Sequence, residues 1–140
     1  MSTETTTPPH ATGYLLLFRN TQWDRDGYSE DQIRQAMEQT RAWFDRLGAS
    51  GKLVSAQPLF EDAVIISGKG GRSVTDGPFP ETKEAIGGYV LLSVGSMEEA
   101  VAIARSNPMH DYGLATEVRA TASSCPKLYR LNSQMAGAAV

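Results

Sequence analysis

The sequence predicts a single α+β domain with the element order βαβ(β)βαβ. Three observations lead to this prediction. Two helical segments each open on a capping-box sequence, short apolar runs alternate with glycine- and proline-marked turns, and the chain has 140 residues. A chain of this length can bury a hydrophobic core without disulfides or metals.

The first strand is predicted at residues 14–19. Alternate side chains of a strand point to opposite faces of the sheet, here Tyr14, Leu16 and Phe18 to one face and Leu15 and Leu17 to the other. A strand that is apolar on both faces is typical of one that is covered on both sides. If the helices cover one face, the simplest cover for the other is a second subunit. The pattern therefore predicts a homodimer.

The first helix is predicted to begin at Ser29, because Ser29 and Gln32 have the spacing of a capping box. Apolar residues then recur at helical spacing in one stripe, which comprises Ile33, Ala36, Met37, Trp43, Phe44 and Leu47. We expect Met37 and Trp43 to belong to the core and not to a cofactor site.

The second helix is predicted at residues 97–105, behind a capping box formed by Ser96 and Glu99. Further strands are predicted at residues 52–59, 89–94 and 113–122, a hairpin at residues 63–67 and 72–75, and a helical turn at residues 80–85. Pro58 predicts that the 52–59 strand lies at an edge of the sheet or bends there. The glycines between the hairpin strands lack the spacing of a phosphate-binding loop, so they predict a turn.

The composition is that of a soluble globular protein, with 41% hydrophobic and 21% charged residues. A net charge of −3 and a pI of about 5.3 argue against binding to nucleic acid or to an acidic membrane surface. No apolar run has the length of a membrane span, and the first residues lack the pattern of a secretion signal. Cys125 is the only cysteine, which fits a cytoplasmic location. We expect residues 1–12 to be a disordered tail, 13–122 the domain, and 123–140 an extension with a disordered end.

The most distinctive stretch runs from Val74 to Tyr89. It contains VTDGPF at residues 74–79, ETKE at 81–84 and GGY at 87–89. An Asp-Gly-Pro sequence strongly predicts a turn, and the two prolines beside Phe79 stiffen the linker. The simplest interpretation is a well-capped loop between two strands.

This stretch resembles the signature of the YCII-related, DGPF-domain proteins, and the resemblance extends from Tyr14 to Arg119. It implies a ferredoxin-like α+β fold with an antiparallel sheet that pairs into a dimeric α/β barrel, in a superfamily that includes muconolactone isomerases and small monooxygenases. In such proteins an acidic residue of the signature, sometimes with a histidine, is proposed as the active site. The chain departs from the family pattern in having Ser67 where many members carry arginine. It also has Ala120 directly after Arg119, where proline is common in the family.

Asp76 is the first catalytic candidate. It could cap the Gly77-Pro78 turn, or it could stand at the mouth of the barrel, where partial burial would raise its pKa and suit it to proton transfer. His110 is the second catalytic candidate, because histidine titrates near neutral pH. A histidine in a loop beside Asp111 is, however, also typical of a protein surface. Whether Asp76 and His110 meet in space is open.

Five residues are candidate ligand contacts: Tyr14, Tyr89, Glu117, Arg119 and Arg72. Glu117 and Arg119 share one face of the last predicted strand. If that face lines the barrel, Arg119 could bind a carboxylate ligand and Glu117 could balance its charge; if the face is an edge, both are surface charges. No metal-binding spacing and no haem, flavin or nucleotide motif is present, so neither a metal nor a cofactor is predicted.

The first functional hypothesis is a cytoplasmic homodimer that binds a small oxygenated acid. By analogy with the superfamily it would be a cofactor-independent isomerase or lyase, in which Asp76 moves the proton. The alternative is a non-catalytic module that binds a metabolite or a protein, with a regulatory association with sigma-factor-linked systems. A third interpretation, a purely structural dimer, predicts no enclosed pocket.

Overall fold

The computed structural model describes residues 11–76, 86–128 and 130–131. The helices and strands are β1 Ala11–Arg19, α1 Glu30–Ala49, β2 Leu53–Pro58, β3 Val64–Ser67, β4 Ser73–Asp76, β5 Gly88–Leu92, α2 Met97–Arg105 and β6 Ala115–Ala122. Short 3-10 segments occur at Trp23–Arg25 and Pro108–Tyr112. The predicted turn at residues 80–85 lies outside the described residues.

Four strands form one antiparallel sheet in the order β2-β5-β1-β6. This is the ferredoxin-like arrangement, which is the chain fold of dimeric α/β barrels, and it confirms the predicted fold class. Strand β2 lies at an edge, as Pro58 predicted. Among the described residues, no helix combines the length and the apolar character that a membrane span needs.

The two faces of the sheet differ in burial, and β1 shows this most clearly. Tyr14, Leu16 and Phe18 are buried, in one core with α1 and α2 residues that include Trp43, Leu47, Ala100 and Ala104. Leu15 and Leu17, which point to the opposite face, are only half-buried. Within this chain the helices therefore cover one face, which we call the inner face. We call the opposite one the outer face.

Helix α1 begins as predicted. The Ser29 hydroxyl accepts a hydrogen bond from the backbone N–H of Gln32, and the Gln32 side chain accepts one from the backbone N–H of Ser29, at 3.1 and 2.8 Å. The Trp43 indole lies in the core, where its N–H donates to the Ser106 hydroxyl at 2.8 Å and ties α1 to the end of α2. Met37 differs from the prediction, because its side chain is 43% exposed. The apolar stripe of α1 therefore extends beyond the part of the helix that packs against the sheet.

Helix α2 has half of the predicted capping box. The Ser96 hydroxyl accepts from the backbone N–H of Glu99 at 3.1 Å. The Glu99 carboxylate accepts from the backbone N–H of Gly95 and pairs with Lys52 at 2.9 Å. The Lys52 hydrogen bond, followed by the Gly95 one, lowers the pKa of Glu99. The competing lysine explains why the carboxylate does not complete the box.

Strands β3 and β4 form a separate two-stranded sheet, which confirms the predicted hairpin. Gly68, Gly70 and Gly71 have φ values of 81°, 72° and 66°, and such positive φ angles favour glycine. The glycines therefore serve the turn. All residues of both strands are exposed.

Gly87 joins the ends of three strands. Its N–H donates to the Phe18 carbonyl at 2.9 Å, and its carbonyl accepts from the Leu59 N–H at 3.0 Å. A Cβ atom at this position would overlap the side chain of Thr21, so only glycine fits without a backbone shift. This close approach lies at the end of the sheet where a cavity opens.

Candidate functional site

A cavity of about 660 Å³ lies between α1 and the end of the sheet where Gly87 joins the strands. Its lining is mostly apolar. Helix α1 contributes Ile33, Met37, Thr40 and Phe44, and the sheet and the segment after β1 contribute residues that include Phe18, Ala56 and Trp23. The exposure of Met37 is explained by this cavity, because its side chain borders open space and not another element.

Three aromatic rings hold the segment that closes one side of the cavity. Trp23 is 2% exposed, and its ring lies 5.8 Å from that of Tyr28 and 5.1 Å from that of Tyr112. The rings of Tyr28 and Tyr112 are 5.3 Å apart. Rings at such centroid distances attract one another beyond the area they bury. The cluster therefore fixes the Trp23 wall against the 3-10 segment Pro108–Tyr112.

Asn107 contributes a buried amide to the lining and is 3% exposed. Its Oδ1 accepts from the backbone N–H of Met109 at 3.0 Å, which caps the 3-10 segment. Within the described ranges no hydrogen-bond acceptor contacts the Asn107 side-chain N–H₂ group. The Tyr14 hydroxyl is the fully buried side-chain polar atom without a partner among the described residues, so the Asn107 nitrogen is accessible from the cavity and can bond a water or a ligand there.

The predicted ligand contacts lie on different faces of the sheet. Tyr89 and Glu117 both pair with Leu17, and Arg119 pairs with Leu15, which places all three on the outer face. Tyr14 lies on the inner face, 1% exposed, and its hydroxyl has no hydrogen-bond partner in the part of the chain that the structure describes. Tyr14 and the other three therefore do not share one pocket. Of the seven candidates, only Tyr89 lines the cavity.

Glu117 is held between two arginines on the outer face. Its carboxylate accepts from Arg19 at 2.9 to 3.0 Å and from Arg119 at 3.3 Å. The Arg19 hydrogen bond is the largest cause of a lowered pKa for Glu117, and Arg119 contributes to the same shift. These contacts keep the Glu117 carboxylate ionised and hydrogen-bonded. That is typical of an ion-pair network and not of a general acid.

His110 connects three parts of the backbone. Its Nδ1 lies 2.9 Å from the Leu114 carbonyl, and its Nε2 lies 3.1 Å from both the Ala104 carbonyl and the Thr116 hydroxyl. A carbonyl oxygen only accepts, so the Leu114 bond needs a proton on Nδ1 and the Ala104 bond needs one on Nε2, whereas the Thr116 hydroxyl can either donate to Nε2 or accept from it. These bonds join the end of α2, the 3-10 segment and the start of β6, so the histidine has a structural role.

Asp76 is the last residue of β4, opposite Val64, and is exposed. No hydrogen bond or ion pair joins Asp76 to His110 within the ranges that the structure describes. The Gly77-Pro78 turn that Asp76 was predicted to cap lies outside those ranges. Arg72 is exposed in the hairpin turn. In the described residues, no group of three His, Cys, Asp or Glu side chains converges on a point where a metal ion could bind.

Apart from Tyr89, the cavity residues were not predicted from the sequence as ligand contacts. Asn107 lies just beyond the predicted end of the second helix at residue 105, and Asn followed by Pro is the pattern of a cap that opens a new helical segment. Met37 was assigned to the core because a helical stripe does not show which of its residues meet a neighbour.

Two comparisons with known proteins identify relatives of the chain. The family model of the YCII-related domain matches residues 14–122. An uncharacterised protein of Rhizobium meliloti (strain 1021) is 30% identical over 95 residues, which are 66% of this chain and 77% of that protein.

We expect the pKa of Glu117 to rise towards the ordinary glutamate value, about 4.3, when Arg19 is replaced by glutamine. Because the pKa is lowered in the folded state, the ion pair contributes stability above the unfolded-state pKa. That stability is lost as the pH falls through the lower folded-state pKa. An NMR titration of the Glu117 carboxyl carbon measures the shift. Arg34→Gln, which removes an exposed arginine on α1, is the control. An unchanged Glu117 pKa in Arg19→Gln would contradict the assigned cause.

Proposed function

The chain belongs to the YCII-related domain family, and on that premise we propose that it binds a small organic molecule in the cavity between α1 and the sheet. The cavity itself is the observation that carries this proposal. A volume of about 660 Å³ with mostly apolar walls and a buried amide is typical of small-molecule sites.

The walls of the cavity suit a ligand with an apolar body. Met37 and Phe44 come from one helix face, and Trp23 closes the opposite side. A methionine side chain has several rotatable bonds and a polarizable sulfur, so Met37 can adapt to the shape of a bound molecule. A ligand that covers these side chains would remove apolar surface from water, which is the main driving force for such binding.

The titratable groups of the lining favour binding over proton transfer. Within the described residues they are Asp24 and Glu61, because the pairing of Tyr89 with Leu17 directs the Tyr89 side chain to the outer face. Neither catalytic candidate is among them. Acid/base catalysis by Asp76, with or without His110, and an association with sigma-factor-linked systems both stay predictions from the resemblance. The proposal is therefore the non-catalytic one of the two functional hypotheses.

We also propose that the chain forms a homodimer through the outer face of the sheet. Leu15, Leu17 and Leu91 are only half-buried there. The separate β3–β4 hairpin also carries exposed apolar side chains, Val64, Ile65, Ile66 and Val74, which are between 45% and 67% exposed. An isolated two-stranded hairpin is marginally stable in water, and contiguous exposed apolar surface is typical of an interface. A second copy of the chain would cover both.

Filling the cavity should block binding of a neutral fluorescent probe, N-phenyl-1-naphthylamine, which brightens in apolar sites. We expect saturable binding to the parent protein and at least about tenfold weaker binding to Met37→Trp, because the larger ring would occupy the ligand's volume. Glu38→Trp places the same ring on the exposed side of α1 and serves as the control. Equal affinity in Met37→Trp and the parent, or no saturable binding to the parent, would refute the proposed site.

Sedimentation equilibrium tests the homodimer. The parent should have about twice the 15.1 kDa mass of one chain, and Leu15→Asp should shift it towards the monomer by placing a charge in the interface. Ala102→Asp adds the same charge to an exposed position of α2 and should leave the mass unchanged. A parent that sediments as a monomer over a wide concentration range would exclude this interface.

A further inference from the structure

We infer that the cavity selects neutral or cationic molecules that carry a hydrogen-bond acceptor, and that it discriminates against carboxylates. This inference rests on the proposed function, because it names the class of ligand for the same cavity. It departs from the sequence-based hypothesis of a small oxygenated acid. Three features of the described lining carry it: the sign of its charges, its apolar character, and the amide of Asn107.

The charged groups that line the cavity within the described ranges are both acidic, Asp24 and Glu61. Glu61 is paired with Arg25, whose guanidinium lies 3.0 and 3.3 Å from the two carboxylate oxygens. Asp24 has no ion-pair partner in the described part of the chain, and Arg25 itself does not line the cavity. The described part of the lining therefore has a net negative charge.

A carboxylate in such a cavity would lose water without gaining a cationic partner. Removing an ion from water is strongly unfavourable unless a charge or several hydrogen bonds compensate it. The described lining offers no cation and only a few neutral donors, on Thr21, Gln57 and Asn107. Asp24 would in addition repel a carboxylate. A neutral molecule avoids both costs, and an ammonium group could approach Asp24 at the cavity rim.

Asn107 sets the polar requirement. Its Oδ1 is used by the Met109 N–H, so the group left for a ligand is the side-chain N–H₂ donor. A donor binds an acceptor, such as an amide or ketone carbonyl or an ether oxygen. Because Asn107 is buried, a ligand that lacked an acceptor would leave the donor unsatisfied. The structure thus assigns an apolar molecule with an acceptor group.

Three probes of one shape test the charge preference: 3-phenylpropanamide, 3-phenylpropylamine and 3-phenylpropanoate. Their affinities for the full chain are measured by titration, following the Trp23 indole N–H signal in NMR spectra. We expect the amide to bind at least about tenfold more tightly than the carboxylate. The amine is protonated and lacks an acceptor for Asn107, so its affinity should fall between the two. If the amide binds no more tightly than the carboxylate, including the case in which none of the three probes binds, the inference is overturned.

Two substitutions separate the contribution of the Asn107 donor from that of the Asp24 charge. Asn107→Ser keeps an oxygen that can cap the Met109 N–H but removes the donor, so it should weaken the amide probe several-fold and leave the amine unchanged. Asp24→Asn should strengthen binding of the carboxylate probe and weaken binding of the amine probe. Asp26→Asn removes the same charge from the same segment outside the lining, and it should change neither. Equal effects of Asp24→Asn and Asp26→Asn would overturn the assigned role of Asp24.

The fluorescent probe distinguishes failure of the inference from failure of the proposed function. If N-phenyl-1-naphthylamine binds in the cavity and the carboxylate nevertheless equals or exceeds the amide, the inference fails and the binding function stands. If neither the fluorescent probe nor any of the three matched probes binds, the proposed function fails and the inference fails with it.

Discussion

The alternation of side chains along β1 determines how the rest of the molecule is arranged. This strand lies between β5 and β6, and its residues 14–18 have a paired neighbour on both sides. Its buried residues, among them Leu16 and Phe18, form a core with both helices, whereas Leu15 and Leu17 point away from that core. A slip of one residue in the register would exchange the two sets and leave the helices against the wrong face. The cavity on the inner face and the proposed interface on the outer face both follow from this register.

The cavity exists because the ends of the strands and α1 do not close on each other. Gly87 holds the ends of β1, β2 and β5 together, and α1 continues past them with Met37 and Phe44 towards the opening. The Trp23 cluster fixes the third side. Apolar side chains around an unfilled volume lose packing contacts. The proposed ligand would restore such contacts when it fills the volume.

The sequence was sufficient for the fold but not for the site. Helix starts and hairpins depend on local rules, so the Ser29 capping box and the glycine turn of β3–β4 were predictable. The cavity depends on how far α1 stands from the sheet, which no local pattern contains. The prediction of a complete capping box at Ser96 was wrong for the same reason, because Lys52 reaches Glu99 only in the folded chain. The alternation of β6 predicted that Glu117 and Arg119 share a face, but the position of Asn107 in the cavity wall required the tertiary structure.

The most direct test of the account is a crystal structure of the protein soaked with phenol, a small neutral molecule with an apolar ring. We predict ordered phenol in the cavity, with the ring against Met37 and Phe44 and its oxygen within hydrogen-bond distance of the Asn107 side-chain nitrogen. Phenol found only on the hairpin or on the outer face of the sheet would contradict the division of the molecule into a ligand-binding side and a subunit-binding side.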